Sequence, residues 1–238
     1  MTIKDTNLKT VNSSDRYLTE ISWLKSFHSF SFGEHYHPEN TGWGSLRVIN
    51  EDFIAPGGKF NTHPHRDMEI ITYLVKGNLQ HKDSAGNEYV IKAGDVQRIS
   101  AGSGILHSEE NISATEEVHM LQIWITPEVK QTEPEYTQNS FKPEDLQNQL
   151  KLIVSKTGAQ DSIAIKQDTN IYAAMLDKDL NLDFNTTKDR SWLQLISGTL
   201  NVNGQQLKTG DALAFMNKSQ LSIKALTDSH FLVFDIAS

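Results

Sequence analysis

The chain contains no cysteine. That excludes disulfides, a thiolate nucleophile and zinc–thiolate or Cys-ligated iron–sulfur sites, so any bound metal must be held by His, Asp or Glu. It has no run of ~18 apolar residues, the length a bilayer-spanning helix needs. The opening MTIKDTNLKTVNSSDRY lacks the apolar stretch of a secretory signal, which makes the cytoplasm the expected compartment and a membrane an unexpected partner. Basic residues are the minority: 22 Lys+Arg against 30 Asp+Glu leave a net charge of −8, so nucleic acid is not an expected partner either. Proline is sparse, with 6 in 238 residues, and Pro127, Pro134 and Pro143 all fall within 127–150.

At this length the chain holds one large domain or two of about 100–130 residues. From Leu46 onward, short runs rich in Val, Ile, Leu, Tyr and Trp are separated by turn signals such as Pro56-Gly57-Gly58, Gly77, Ala85-Gly86-Asn87, Gly94-Asp95 and Gly102-Ser103-Gly104. This spacing predicts strands near 46–53, 69–75, 79–83, 88–92, 96–100, 105–109 and 118–126. A second series is predicted near 151–155, 163–167, 171–176, 192–196, 199–203, 212–216, 221–226 and 230–236. Regular short strands of this kind indicate an all-β barrel or sandwich. Residues 15–28 read as a short helix or loose turn, 29–44 as loop, and the polar stretch 127–150 as a linker.

The two strand series resemble each other. ITYLVKGNLQ followed by EYVIKAGDVQRI has the same order of features as LQLISGTLNVNGQQLKTGDALAF: apolar strand, Gly, short strand, turn, short strand, Gly-Asp, apolar strand. Gly77 corresponds to Gly198, and Gly94-Asp95 to Gly210-Asp211. The implied architecture is two β-barrels in tandem, residues 1–135 and 136–238.

Two short motifs carry chemistry. In Thr62-His63-Pro64-His65 the imidazoles are two residues apart, and on a strand residues i and i+2 share a face. His107-Ser108-Glu109 repeats that spacing on a later strand. Together they offer three imidazoles and a carboxylate, a suitable ligand set for a divalent metal. Glu69, four residues beyond His65, is a second candidate carboxylate.

The motifs His63-Pro-His-Arg-Asp-Met-Glu69, His81-Lys-Asp-Ser-Ala-Gly-Asn87, Gly94-Asp-Val-Gln97 and Ser100-Ala-Gly-Ser-Gly-Ile-Leu-His-Ser-Glu109 resemble those of the pirin family. So do Trp23-Leu24, His28-Ser-Phe-Ser-Phe32, Leu46-Arg-Val-Ile-Asn50 and Gln122-Ile-Trp-Ile125. The resemblance is dense over 22–126 and thin beyond. It implies an all-β bicupin, two tandem cupin β-barrels with metal in the N-terminal one only. The ligands it implies are His63, His65, His107 and Glu109. The general cupin pattern fits less closely. It nominates Glu69, but Gly77 arrives one residue late, Ser100 replaces a proline, and the gap from Gly102 to His107 is two residues longer. Glu69 is therefore expected behind the ligands, accepting an imidazole N–H and fixing a tautomer.

For bacterial members the resemblance implies quercetin 2,3-dioxygenase activity. The partners would be a small aromatic substrate and O2, the products would include carbon monoxide, and Glu109 would be the catalytic proton acceptor. One divalent ion is expected per chain, Fe(II) first, with Mn, Co, Ni, Cu or Zn compatible with the same ligands. Two other readings use the same site: a metal-loaded regulatory module that binds a protein partner without turnover, and a cupin isomerase.

The remaining histidines read differently. His35-Tyr36-His37 has the ligand spacing but lies in a proline-flanked loop, and is not expected to bind metal. His28 reads as packed or capping, His81 and His119 as strand-surface or packing residues. Phe27, Phe30, Phe32, Trp43 and Phe53 read as core or loop anchors, some of them a lid over an aromatic substrate. In the second half, aligning the repeat glycines puts Phe184, Thr186, Arg190, Ile223 and Ala225 where the first half has His63, His65, Glu69, His107 and Glu109. No metal is expected there.

Overall fold

The computed structural model describes residues 8–237. In chain order the strands are β1 (Leu8–Val11), β2 (Tyr17–Ile21), β3 (Leu24–His28), β4 (Leu46–Ile54), β5 (Lys59–His65), β6 (Glu69–Lys76), β7 (Asn78–Asp83), β8 (Glu88–Lys92), β9 (Asp95–Ser100), β10 (Ile105–Asn111), β11 (Val118–Ile125) and β12 (Glu135–Ser140). A four-residue helix, α1 (Pro143–Leu146), precedes β13 (Lys151–Ser155), β14 (Ile163–Ala164), β15 (Thr169–Leu176), β16 (Asn181–Asn185), β17 (Arg190–Ser197), β18 (Thr199–Val202), β19 (Gln205–Lys208), β20 (Ala212–Met216), β21 (Gln220–Ala225) and β22 (Ser229–Ile236). Among the described residues no helix is long and apolar enough to cross a membrane.

The chain divides into two compact units. One comprises residues 17–141 and 156–168; the other comprises the described residues 8–16, 142–155 and 169–237. Residues 8–16 join the later strands because β1 pairs with β20. Each unit therefore draws on more than one stretch of chain, whereas the sequence reading cut once at 135/136.

Each unit is a pair of antiparallel sheets. In the first, one sheet runs β12-β9-β6-β11-β4-β3-β2 and the other β5-β10-β7-β8. In the second unit the larger sheet contains β1-β20-β17-β22-β15-β13 and the smaller runs β16-β21-β18-β19. The repeat read from the sequence has a structural counterpart. Gly77 and Gly198 have φ of 88° and 95°, Gly94 and Gly210 of 88° and 82°, a region that L side chains avoid. A Cβ at Gly77 would come 2.9 Å from the Glu117 carbonyl, and one at Gly198 2.3 Å from that of Asp228. The Gly-Asp turns also match: Asp95 Oδ2 accepts from the Lys92 N–H at 2.9 Å and Asp211 Oδ2 from the Lys208 N–H at 2.8 Å.

Two sequence expectations are corrected. Residues 17–28 form the hairpin β2–β3 instead of a short helix or loose turn. The alternating burial of Leu24, Ser26 and His28 against Lys25 and Phe27 has the period of a strand. The stretch 127–150 is not simply a linker, because it contains β12 and α1. β12 can be polar because it is the terminal strand of its sheet, paired among the described residues with β9 alone, and an edge strand needs no continuous apolar face.

Layering of the first unit positions the site. Leu24, Ile54, Leu74, Leu79, Ile91, Val118 and Met120 form one apolar cluster. Ile70, Ile99, Ala101 and Ile105, with Trp124 against them, form another. Along β6 the order Ile70, Thr72, Leu74 puts a buried threonine between the clusters, and along β11 Gln122 falls between Met120 and Trp124. Thr72, Gln97 and Gln122 thus make a polar layer between these two apolar clusters.

Candidate metal centre

β5 is an edge strand of its sheet, which is why it tolerates Pro64, a residue with no N–H to donate. His63 and His65 flank that proline and share a face. β5 pairs with β10 in a register that sets His63 directly opposite His107, with an irregularity between His107 and Glu109. The ring centroids of His63 and His107 are 4.4 Å apart; His63–His65 and His65–His107 are each 4.8 Å. One ring nitrogen from each of the three lies within 4.8 Å of the others.

The imidazoles differ in their surroundings. His63 Nδ1 donates to the Asn61 carbonyl at 2.7 Å, which leaves Nε2 as the nitrogen not engaged by that bond. Burial, with His63 beside it, pushes His65 down to about 4. Burial, followed by the neighbouring His63 and His65, pushes His107 down to about 2. Near neutral pH both are therefore uncharged. His107 is 1% exposed, and neither of its ring nitrogens has a hydrogen-bond partner among the described residues. An imidazole left buried with two unsatisfied nitrogens is costly, and a metal ion would satisfy one of them.

Glu109 lies on the same strand and is fully buried. Gln122 Nε2 donates to its Oε2 at 3.0 Å, while Thr72 Oγ1 and Gln97 Nε2 each lie 3.5 Å from Oε1. Burial, then the nearby Asp52 carboxylate, raise Glu109 to about 7. Its carboxylate is within 4.8 Å of ring nitrogens of His107 and His81, which form a second ligand-type group with it. Three imidazoles and a carboxylate, with an orphaned buried nitrogen among them, fit a divalent ion.

Glu69 belongs to neither group. Its Oε2 accepts from Ser100 Oγ at 2.8 Å, and the Lys166 backbone N–H also reaches it, so its partners differ from the imidazole the sequence reading gave it. Of the two readings of His81, strand-surface or packing, its burial fits the second. It is wholly buried opposite Glu109 on β7, with Nε2 3.0 Å from Asp83 Oδ2 and Nδ1 unpartnered. A carboxylate behind an imidazole is a common device for fixing a tautomer. The His81-x-Asp83 spacing was the available signal.

The other histidines follow their packing. His119 stacks on Phe53 at 4.3 Å and meets Glu51 Oε1 at 2.9 Å. His28 is buried between Thr19 Oγ1 and Asn50 Oδ1. His35 stacks on Tyr17 at 5.4 Å, and His37 Nδ1 accepts from the Glu39 N–H; neither belongs to a ligand group.

A cavity of about 400 Å³ opens onto His63, His65 and Glu109. Leu24, Phe32, Phe60 and Trp124 supply its apolar walls, and Ser26, His28, Asn50, Asp52 and Gln122 its polar ones. Of the aromatics singled out from the sequence, Phe32 reaches the cavity. Phe27 packs edge-on against Phe53, and Phe60 and Trp124 were missed.

In the second unit β16 pairs with β21 as β5 does with β10. There Phe184 faces Leu221 and Leu182 faces Ile223, all packed in or against one aliphatic core.

Comparison with known proteins places these observations in a family. The model described as Pirin matches residues 11–125, and the one described as Quercetinase C-terminal cupin domain matches residues 152–236. A quercetin 2,3-dioxygenase of Escherichia coli is 41% identical over 215 residues, covering 90% of this chain and 92% of that protein. A pirin-like protein of Caulobacter vibrioides is 38% identical, with 90% and 93% covered. The crystal structure of YhhW from Escherichia coli superposes with a TM-score of 0.92 at 39% identity, over 96% of this chain and 97% of that one. A structure of bacterial pirin YhhW in complex with nickel(II) gives 0.92 at 38% identity, over 97% and 99%. With two cupin barrels and a histidine cluster in the first of them, the chain belongs to the pirin family.

Proposed function

We propose that the chain is a metal-dependent quercetin 2,3-dioxygenase, in which His63, His65, His107 and Glu109 hold one Fe(II) ion. The observation that carries this reading is His107: buried, uncharged and without a partner on either nitrogen among the described residues, packed against His63 and His65, which line a cavity with aromatic walls. The names of the curated relatives support it. When bound, a redox-active divalent ion supplies chelation of the flavonol's adjacent hydroxyl and carbonyl oxygens and a route for electrons to O2. In the overall reaction both atoms of O2 enter the products, two ring C–C bonds break and one ring carbon leaves as carbon monoxide.

The protein's own groups do the rest. Phe32, Phe60 and Trp124 accept planar rings and keep water out. Gln122, Gln97 and Thr72 aim the Glu109 carboxylate. Glu109, the carboxylate beside the chelated oxygens in this reading, takes the proton of the flavonol hydroxyl. The second unit takes no metal in this reading, because Phe184, Thr186, Ile223 and Ala225 stand where the first has its ligands, and they offer neither an imidazole nor a carboxylate.

The test is oxygen uptake with quercetin, with carbon monoxide measured in parallel. Untagged protein would be assayed for metal, stripped, and reloaded with Fe, Mn, Co, Ni, Cu or Zn in turn. Metal-dependent uptake with carbon monoxide release is expected, greatest with Fe(II). Stoichiometric metal binding without turnover on any ion would overturn the enzyme reading and favour a metal-loaded regulatory module.

A further inference from the structure

The wall of the cavity formed by β3 and β4 contains a directed hydrogen-bond chain. Thr19 Oγ1 lies 2.9 Å from His28 Nε2, and His28 Nδ1 lies 2.8 Å from Asn50 Oδ1. Because Asn50 Oδ1 can only accept, Nδ1 carries the proton, and Nε2 accepts from the Thr19 hydroxyl. Ser26 Oγ in turn donates to Asp52 Oδ1. The chain fixes the direction of two side chains and leaves one polar atom of each unused. Asn50 Nδ2 and Asp52 Oδ2 have no hydrogen-bond partner among the described residues. Both residues line the cavity, although Asn50 is 4% and Asp52 3% exposed. Lying two apart on β4, they share a face at a spacing of roughly 6.6 Å along the strand.

Nearly buried polar groups with an unused valence carry a free-energy cost unless something completes them. Neither belongs to the ligand-type groups described above. We propose that Asn50 and Asp52 form a specificity-determining wall that reads the ring hydroxyls of a polyhydroxylated aromatic substrate. One hydroxyl hydrogen-bonds to Asp52 Oδ2, and a second oxygen accepts from Asn50 Nδ2. The inference rests on the flavonol reading for the identity of the aromatic. It adds that the site selects by hydroxyls remote from the chelating pair, so that an unhydroxylated flavonol is discriminated against. A hydrogen-bonding site rejects an analogue lacking the matching group because its own buried polar atoms are then left unpaired.

The experiment is equilibrium binding without turnover. Metal-loaded full-length protein is titrated anaerobically with quercetin and with 3-hydroxyflavone, which keeps the hydroxyl–carbonyl pair but lacks the other hydroxyls. Quenching of tryptophan fluorescence or calorimetry gives Kd. Wild type is expected to prefer quercetin by ~10-fold or more, the value of one or two hydrogen bonds. Asp52→Asn and Asn50→Asp are near-isosteric, and each should lose most of that preference by weakening quercetin while leaving 3-hydroxyflavone within about threefold. Equal binding of the two ligands by wild type, equal loss of both in the variants, or no binding of quercetin would each overturn the proposal. The expected pattern without oxygen consumption would support the wall while counting against the dioxygenase reading alone.

Discussion

His63 and His107 face each other directly across the β5–β10 ladder, with ring centroids 4.4 Å apart. Each belongs to a two-residue motif, and the register of this one strand pair turns two motifs into one cluster. Removing either imidazole should therefore disable the site without removing the fold, since the surrounding clusters are aliphatic. His63→Ala and His107→Ala should each lower metal affinity more than about 100-fold, beyond the loss typical of groups that only orient a ligand. Chelator competition measures the affinity and circular dichroism the fold; unfolding of both variants without metal would show the ion to be structural.

The two glutamates should behave in opposite ways. Glu109→Gln should abolish most metal affinity. Glu69→Gln should leave it within a few-fold, because Glu69 is held by Ser100 and Lys166 and lies outside the ligand groups. It should instead lower unfolding stability by about 1–3 kcal/mol, the usual cost of disturbing a buried hydrogen-bonded carboxylate. A metal titration beside a urea melt decides; loss of binding in Glu69→Gln alone would assign the ligand role to Glu69.

Metal binding should release a proton from Glu109. Burial holds this carboxyl to about 7 in the free protein, and a ligating carboxylate must give the proton up. Calorimetry of wild type in buffers of different ionisation enthalpy should show a buffer-dependent difference in binding enthalpy at pH 6, reporting the released proton, that vanishes above pH 8. An unchanged difference across that range would contradict the role of Glu109.

Stability of the metal-free protein should fall as pH rises, in part because of Asp52. Burial lifts Asp52 from 3.8 to about 7. Between these values the folded state keeps a proton that the unfolded state has lost, so each increment of pH favours unfolding. The favourable contribution is complete below pH 3.8 and gone above about 7. Urea midpoints of wild type should decline between pH 5 and 7.5, and those of Asp52→Asn should decline less; parallel curves would sink the assignment.

Much of the candidate site was legible in the chain. His63-x-His65 and His107-x-Glu109 identify themselves because a strand's period of two puts such pairs on one face. The Gly-Asp turns of the repeat do so because their backbone conformation favours glycine, and Gly77, Gly94, Gly198 and Gly210 all have it. Periodicity, however, names the residues that share a face and not the strand that lies beside it. That His63 meets His107, that His81 lies behind Glu109 with Asp83 at its back, and that Glu69 turns to Ser100 are consequences of long-range register. The hairpin β2–β3 was missed for the same reason. Its polar residues look like loop until Ser26 and His28 are buried against Asp52 and Asn50 of β4. Local spacing determined which side chains could act together; only the pairing of strands distant in sequence decided which of them do, because that pairing sets which polar atoms are buried and which are left facing the cavity.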